Sequence, residues 1–300
     1  MASPELAQLI EGLRASAPDF SAPPAEVRAV FENLLAGMPV PDGATYSATT
    51  LGGVPALECL HGGDTSSGTL LYFHGGGYVA GSAQGYRALP TMLARAANLA
   101  ALAIDYRLAP EAPFPAAIDD GVAAYLALLD SGVAADRIIL AGDSAGGGLV
   151  AATLLKLRDG GHPLPAAAVL LSPWVDLAGE GASFEGKAAQ DPSLTPAGLR
   201  AGARHYLAGA DPKNPLASPI YADLSGLPPL LIQVGSAEIL LDDAFRLAGA
   251  AGAAGTTVRL EIWADMVHVW QSFAFMLPEG AAAIADAAVF INSHLAKREG

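Results

Sequence analysis

Residues 137–156, RIILAGDSAGGGLVAATLLK, decide how the rest of the chain is read. After Arg137 the next four residues are apolar, so residues 137–141 are typical of a short buried strand, and residues 149–156 carry apolar side chains at helical spacing. Between them, residues 142–146 have the pattern G-x-S-x-G. After a strand and before a helix, this pattern predicts a sharp turn that exposes the serine hydroxyl above the sheet, with glycines where side chains would clash. We therefore predict that Ser144 is a nucleophile.

The composition limits the classes of function. The 300 residues include 16 Lys and Arg against 30 Asp and Glu, for a formal net charge of −14. Because such a chain repels a phosphate backbone and an anionic membrane surface, we expect neither nucleic acid nor a membrane as partner. Cys59 is the single cysteine, and no Cys/His cluster has zinc-site spacing. We expect no metal and no organic cofactor.

The N-terminal residues lack the basic start of a signal peptide. No run of roughly 18 apolar residues is free of Asp, Lys, Pro or Gly clusters. These features predict a soluble, cytoplasmic protein.

Apolar periodicity predicts an α/β fold. Two helices are expected within residues 5–36, and Gly52-Gly53 is expected to join two strands in a hairpin. From residue 69, near-continuous apolar strands alternate with helices, which is typical of a parallel sheet covered on both faces. Strands are predicted at 45–51, 54–60, 69–73, 99–106, 137–141, 167–171, 230–234 and 257–263, and helices near 85–97, 116–130, 149–156 and 279–297.

Residues 178–210 interrupt this alternation. They are poor in strand signal and rich in Gly, Ala and Pro. We interpret them as an insertion that forms a helical cap together with residues 1–44. Residues 45–177 and 211–300 would then form the catalytic domain.

A serine nucleophile in acyl transfer needs a base, an acid that orients the base, and donors for the oxyanion. His268 follows the last predicted strand, and this type of fold presents its triad in the order Ser, acid, His. We therefore predict that His268 is the base, and we interpret His61, His162, His205 and His294 as structural.

Three carboxylates compete for the role of the acid, since all follow the predicted strand at 230–234. Glu238 is nearest the strand end and is expected on the loop. Asp242 and Asp243 are expected to begin the next helix, where the helix dipole stabilises acidic side chains. We favour Glu238, with Asp242 as the main rival.

The glycine-rich turn at residues 74–77, HGGG, follows another predicted strand. Its bare backbone can direct N–H groups at a developing negative charge. The N–H group of Ala145, at the start of the elbow helix, is a further candidate donor. No phosphate-loop pattern occurs that would explain the glycines otherwise.

Five motifs combine into one resemblance: HGGGY at 74–78, YRLAPE at 106–111, FPAAIDD at 114–120, GDSAGG at 142–147 and DMVHVW at 265–270. Over nearly its whole length the chain resembles the hormone-sensitive-lipase-like bacterial esterases of the α/β-hydrolase superfamily. The resemblance implies an α/β-hydrolase fold with a mostly parallel eight-stranded sheet flanked by helices, and a helical cap. It also implies the triad Ser144, Glu238 and His268, and oxyanion donors at Gly76, Gly77 and Ala145. Many relatives carry Asp where this chain has Glu238.

The function expected from these features is a cofactor-free carboxylesterase that hydrolyses short-to-medium acyl esters of small molecules through an acyl-serine. A lactone hydrolase with the same triad is one alternative. A non-catalytic receptor for a small ligand, on the same fold, is another. By analogy with the family, the final helix and an edge strand are candidates for a homodimer interface.

Overall fold

The structure is a computed structural model, and it describes residues 3–63, 65 and 67–295. The strands are β1 Thr45–Leu51, β2 Val54–Leu60, β3 Thr69–Phe73, β4 Ala100–Ile104, β5 Ile138–Asp143, β6 Ala167–Leu171, β7 Leu230–Gly235 and β8 Val258–Trp263. They form one sheet in the order β1-β2-β4-β3-β5-β6-β7-β8. The first two pairs, β1 with β2 and β2 with β4, are antiparallel, and every other pair is parallel. The predicted mostly parallel, eight-stranded sheet is confirmed.

The hairpin between β1 and β2 is also confirmed. Leu51 pairs with Val54, so Gly52 and Gly53 alone form the turn. Their φ angles are 59° and 85°, which glycine adopts without the steric penalty of a side chain.

Ten α-helices lie in the described part of the chain: α1 Pro4–Ser16, α2 Pro24–Ala36, α3 Ala83–Tyr86, α4 Ala88–Ala97, α5 Ala116–Asp130, α6 Ala145–Asp159, α7 Ala182–Gly186, α8 Pro196–Leu207, α9 Leu241–Ala253 and α10 Pro278–His294. The single helix predicted near 85–97 is in fact two, α3 and α4. The first of them, α3, begins earlier than the predicted helix because the Ser82 hydroxyl accepts the Gly85 amide at 2.9 Å and caps its N-terminus. Residues 296 and 297, predicted as helical, lie outside the described residues.

The sheet is buried on both faces. Alternate residues of β3 point to opposite sides: Leu71 and Phe73 belong to a core shared with α5 and α6, while Leu70 and Tyr72 belong to a core shared with α4 and α10. The near-continuous apolar strands are explained by this arrangement, because both sets of side chains are removed from water.

The parallel strands end at one edge of the sheet, and three segments meet there. The glycine turn follows β3, the elbow follows β5, and the loop with the candidate acids follows β7. Residues 178–210 contain α7 and α8 and no strand. None of the described helices is both long enough and apolar enough to cross a lipid bilayer.

The leucines of helix α1 lie apart from the two cores that cover the faces of the sheet. They form a separate buried cluster with the segment that carries His268 and with the start of α10. The members of this cluster, which we call the α1 cluster, are Leu6, Leu9, Leu13, Met266, Val267, Trp270, Leu277 and Ala283.

Candidate active site

Ser144 occupies the turn between β5 and α6 in an unusual backbone conformation. Its φ and ψ are 52° and −121°. Such a conformation is costly for a residue with a side chain and is kept only where the surroundings determine it. Here the Ser144 amide donates to the Leu171 carbonyl at 2.9 Å, and the Ser144 carbonyl accepts from the Trp174 amide at 2.9 Å. The predicted strand, turn and helix are therefore present, with Ser144 at the tip.

The glycines on either side of Ser144 are required by close backbone contacts. A Cβ atom on Gly146 would lie 2.0 Å from the Phe73 carbonyl oxygen. A Cβ atom on Gly142 would lie 2.5 Å from the Gly146 carbonyl oxygen. Because these contacts are to backbone atoms, they cannot be relieved by a side-chain rotation. The two glycines of the G-x-S-x-G pattern are therefore needed because the elbow packs closely on itself and on the end of β3.

The imidazole of His268 is held by Glu238. The distance between His268 Nδ1 and Glu238 Oε2 is 2.7 Å, and the Glu238 side chain is fully buried. The other carboxylate oxygen, Oε1, accepts hydrogen bonds from the Gly235 amide at 2.6 Å and the Ser172 hydroxyl at 2.8 Å. Both oxygens of the buried carboxylate are therefore satisfied, and the ring is fixed through Nδ1.

The charges around His268 favour the protonated form of its imidazole. Burial acts to lower the pKa of His268, but the hydrogen bond and charge of Glu238, with the charges of Asp191 and Asp143, raise it above its ordinary value. Positive charge on the ring is thus stabilised by the carboxylate beside it.

The two rival carboxylates are engaged elsewhere. Asp242 Oδ2 accepts the Ser183 amide at 3.0 Å, and Asp243 Oδ2 accepts the amides of Val175 and Asp176 at 2.9 Å each. Both aspartates lie in the first turn of α9, as predicted from the sequence. Of the three candidates, the structure brings Glu238 to His268.

In the turn that follows β3, two glycines have positive φ angles. Gly76 has a φ of 115°, and a Cβ there would lie 2.2 Å from the Ala80 carbonyl oxygen. Gly77 has a φ of 62°. Among the described residues, the amides of Gly76, Gly77 and Ala145 donate to no backbone or side-chain acceptor. Gly76 and Gly77 line the same cavity as Ser144, and Ala145 directly follows Ser144, so these three amides are candidate donors to an oxyanion.

His74 stabilises this turn rather than serving as a base. Its Nδ1 lies 2.7 Å from the Gly75 carbonyl oxygen, and its ring stacks on Tyr106 with centroids 4.3 Å apart. The Tyr106 hydroxyl donates to the His74 carbonyl at 2.7 Å. Burial lowers the pKa of His74 to about 4, so the ring is neutral at pH 7. The other four histidines do not line the cavity at Ser144.

Ser144 and His268 line one apolar cavity of about 100 Å³. In this conformation no hydrogen bond joins their side chains within the described part of the chain; unliganded hydrolases often show this pair at a looser distance. Residues from both segments outside the sheet complete the walls: Leu13, Phe20, Phe31, Leu34, Leu35 and Met38 on one side, and Leu194, Gly198, Leu199 and Gly202 on the other.

Two residues at the site were missed by sequence reasoning. Ser172 bonds to Glu238, and Asp191 Oδ2 accepts the Ile239 amide at 3.0 Å. Ser172 had a usable signal, because a polar residue directly after a buried parallel strand lies at the edge where ligands bind. Asp191 lies in the predicted insertion and had no comparable signal.

Comparison with known proteins assigns the family. A family model described as the alpha/beta hydrolase fold matches residues 70–272. An acetyl-hydrolase of Streptomyces hygroscopicus is 56% identical over 225 residues, 75% of each chain, and an esterase of Acinetobacter venetianus is 39% identical over 225 residues, 75% of this chain and 74% of the other. A crystal structure of an esterase from the bacterial hormone-sensitive lipase family superposes with a TM-score of 0.94 at 48% identity, covering 99% of this chain and 100% of the other. The chain belongs to the α/β-hydrolase family, and within it to the serine ester hydrolases that resemble hormone-sensitive lipase.

Proposed function

We propose that this esterase hydrolyses short-to-medium acyl esters through an acyl-enzyme on Ser144, with His268 as base and Glu238 as the acid that orients it. The observation that carries the proposal is the 2.7 Å contact between His268 Nδ1 and Glu238 Oε2, beside the cavity that Ser144 also lines. With Nδ1 committed to the carboxylate, Nε2 is the ring nitrogen left to accept the serine proton.

In the first half of the reaction, Nε2 of His268 takes the hydroxyl proton as Ser144 Oγ attacks the ester carbonyl. The carbonyl electron pair moves onto oxygen, and the amides of Gly76, Gly77 and Ala145 stabilise that charge. Glu238 stabilises the imidazolium. The tetrahedral intermediate then expels the alcohol, which takes the proton from His268 and leaves an acyl-serine.

In the second half, His268 accepts a proton from water as the water oxygen attacks the acyl carbonyl. The same three amides hold the second oxyanion. Collapse returns the proton to Ser144 Oγ and releases the carboxylic acid. A burst of alcohol is expected whenever this second half is the slower one.

The cavity supports a preference for short acyl groups. An apolar cavity of about 150 Å³ is known to hold one benzene molecule, so the partly open cavity of about 100 Å³ beside Ser144 suits a group of only a few carbons. The Streptomyces relative is named an acetyl-hydrolase, which also supports a preference for short acyl groups.

We also propose that residues 1–44 and 178–210 act as a helical cap, since both contribute side chains to the cavity wall.

The test is hydrolysis of p-nitrophenyl esters from acetate to palmitate by the wild type, Ser144→Ala, Glu238→Ala and Asp242→Ala. We expect wild type to prefer short chains, Ser144→Ala to lose about 10⁴-fold or more in kcat, and Glu238→Ala to lose about 10³-fold or more. Asp242→Ala is the matched control, because it removes a carboxylate four residues from Glu238 that bonds to Ser183 instead.

A crippled Asp242→Ala with an active Glu238→Ala would reassign the acid and leave esterase activity intact. A folded wild type inactive on every chain length would instead favour a lactone hydrolase, which the same panel tests with simple lactones. The cytoplasmic location and the homodimer remain predictions from the sequence.

A further inference from the structure

We propose that Ser172 is a positioning residue of the triad, whose hydroxyl holds the Glu238 carboxylate and the His268 loop in a single arrangement. The inference rests on the proposed function, because it concerns the same site. It assigns a role to a residue that neither the motifs nor the proposed mechanism uses.

Ser172 is itself rigidly placed. It follows β6 directly, is fully buried, and donates its amide to the Gln233 carbonyl of β7 at 2.7 Å. Its φ is 46°, in the left-handed region. A residue with a side chain remains in that region only where its contacts hold it there. The hydroxyl therefore projects from a fixed point of the sheet edge.

One hydroxyl group links the Glu238 carboxylate to the backbone beside His268. Ser172 Oγ donates to Glu238 Oε1 at 2.8 Å and accepts the Val269 amide at 3.1 Å. Val269 is the residue after His268. Because a hydroxyl has one donor and two acceptor positions, it can make both bonds at once.

The hydrogen bond from the Val269 amide to Ser172 supports an unfavourable backbone conformation at Val269. Its φ is 51°, and a β-branched residue in the left-handed region is a conformational outlier. Without an acceptor for its amide, Val269 has less to hold it there, and the adjacent His268 backbone would be free to turn with it. The Ser172 acceptor thus helps to keep the imidazole in contact with Glu238.

The donor bond acts on the carboxylate. Oε1 of Glu238 takes two donors, Ser172 and Gly235, so rotation about the last side-chain bond would break both. Oε2 is thereby kept on His268. Without the Ser172 hydroxyl, Oε1 keeps one donor, the Gly235 amide, and the orientation of the fully buried carboxylate is less strongly determined.

Three variants separate this role from a purely structural one. Ser172→Ala removes the hydroxyl and keeps Cβ, and Ser172→Gly removes the hydroxyl while relieving the left-handed backbone. Ser183→Ala is the matched control: its hydroxyl donates to the Ile239 carbonyl at 2.8 Å and accepts the Asp242 amide at 2.9 Å, so it secures the same loop without touching Glu238.

The measurements are kcat and KM for p-nitrophenyl butyrate, and the downfield ¹H resonance of the His268 Nδ1 proton in NMR spectra. We expect kcat to fall about 10- to 100-fold in both Ser172 variants, the size expected for one hydrogen bond to a charged group, with KM little changed. We also expect the Nδ1 proton signal to broaden or shift upfield in both. Ser183→Ala is expected to retain the wild-type signal and most of kcat.

The proposal is overturned if Ser172→Ala matches Ser183→Ala in kcat and retains the wild-type Nδ1 signal. It is also overturned if Ser172→Gly is as active as wild type, because then only the backbone conformation mattered. Should Ser172→Ala fail to fold, Ser172→Gly alone decides. If wild type hydrolyses no ester, the proposed function fails separately, and the NMR comparison still decides whether Ser172 positions the imidazole.

Discussion

Asp143 Oδ1 accepts the amide hydrogen of Gly75 at 2.9 Å, which joins the residue before Ser144 to the residue before Gly76 and Gly77. The same oxygen accepts the Tyr72 hydroxyl at 2.7 Å, and the carboxylate is fully buried. In the structure, one carboxylate links the elbow after β5 to the turn after β3.

The first prediction follows from that link. Asp143→Ala is expected to lower kcat by about tenfold or more, because the turn that supplies Gly76 and Gly77 loses its anchor, whereas removing an oxyanion donor outright costs about 10²–10³-fold. Asp143→Asn keeps an oxygen that can accept both bonds and is expected to lose much less. The measurement is kcat for p-nitrophenyl acetate in wild type, Asp143→Ala and Asp143→Asn. Equal kcat in wild type and Asp143→Ala would show that the anchor is dispensable.

The second prediction concerns stability against pH. Burial raises the pKa of Asp143 from 3.8 to about 6, despite hydrogen bonds that oppose the shift. Because the folded pKa is raised, the associated stability is present below pH 4 and is lost as pH rises through about 6. The stability of wild type relative to Asp143→Asn should therefore fall by up to about 3 kcal/mol over this window. Urea unfolding at several pH values measures it, with Asp42→Asn, at an exposed position, as control.

The third prediction concerns the pH dependence of catalysis. His268 must be neutral to act as a base, so kcat/KM should fall as pH drops through its pKa, which Glu238 and nearby charges raise above the ordinary 6.5 against the effect of burial. In Glu238→Gln the residual activity should show this limb at lower pH, since the stabilising charge is gone. An identical midpoint in both proteins would mean that Glu238 does not control the ionisation.

The fourth prediction tests the elbow packing. Gly146→Ala places a Cβ about 2.0 Å from a backbone oxygen and is expected to cost more than about 2 kcal/mol of stability, with loss of activity. Gly249→Ala is its control, because the new Cβ would have no described atom within 4 Å apart from the adjoining backbone of its own helix, α9. That control is expected to be neutral or to stabilise by up to about 1 kcal/mol. Thermal unfolding of both variants would show the contrast.

The fifth prediction concerns the α1 cluster. Leu6→Ala is expected to cost about 2–5 kcal/mol, since Leu6 is fully buried against the segment that carries His268. Activity at temperatures below the unfolding transition is also expected to fall, because Met266 and Val267 lose their packing partner. Val30→Ala, at a position 45% exposed on α2, should change stability by less than about 0.5 kcal/mol. Unchanged activity in folded Leu6→Ala would limit the role of α1 to stability.

Much of the fold could be predicted because its signals are local. Apolar runs located the strands of the parallel sheet, and Gly52-Gly53 located the hairpin. The errors occurred at boundaries. The start of α3 at Ala83 depends on the cap at Ser82, a single hydrogen bond that apolar periodicity does not indicate.

The sequence by itself determined the elbow, the glycine turn and the candidates for base and acid, because each depends on residue types a few positions apart. Only the tertiary structure decided which carboxylate meets the imidazole, and that Ser172 bonds to both Glu238 and the Val269 amide. Ser172 is separated from Glu238 by 66 residues and from Val269 by 97. Contacts over such separations depend on how β6 and β7 align in the sheet, and that alignment is a property of the packed core rather than of any short segment.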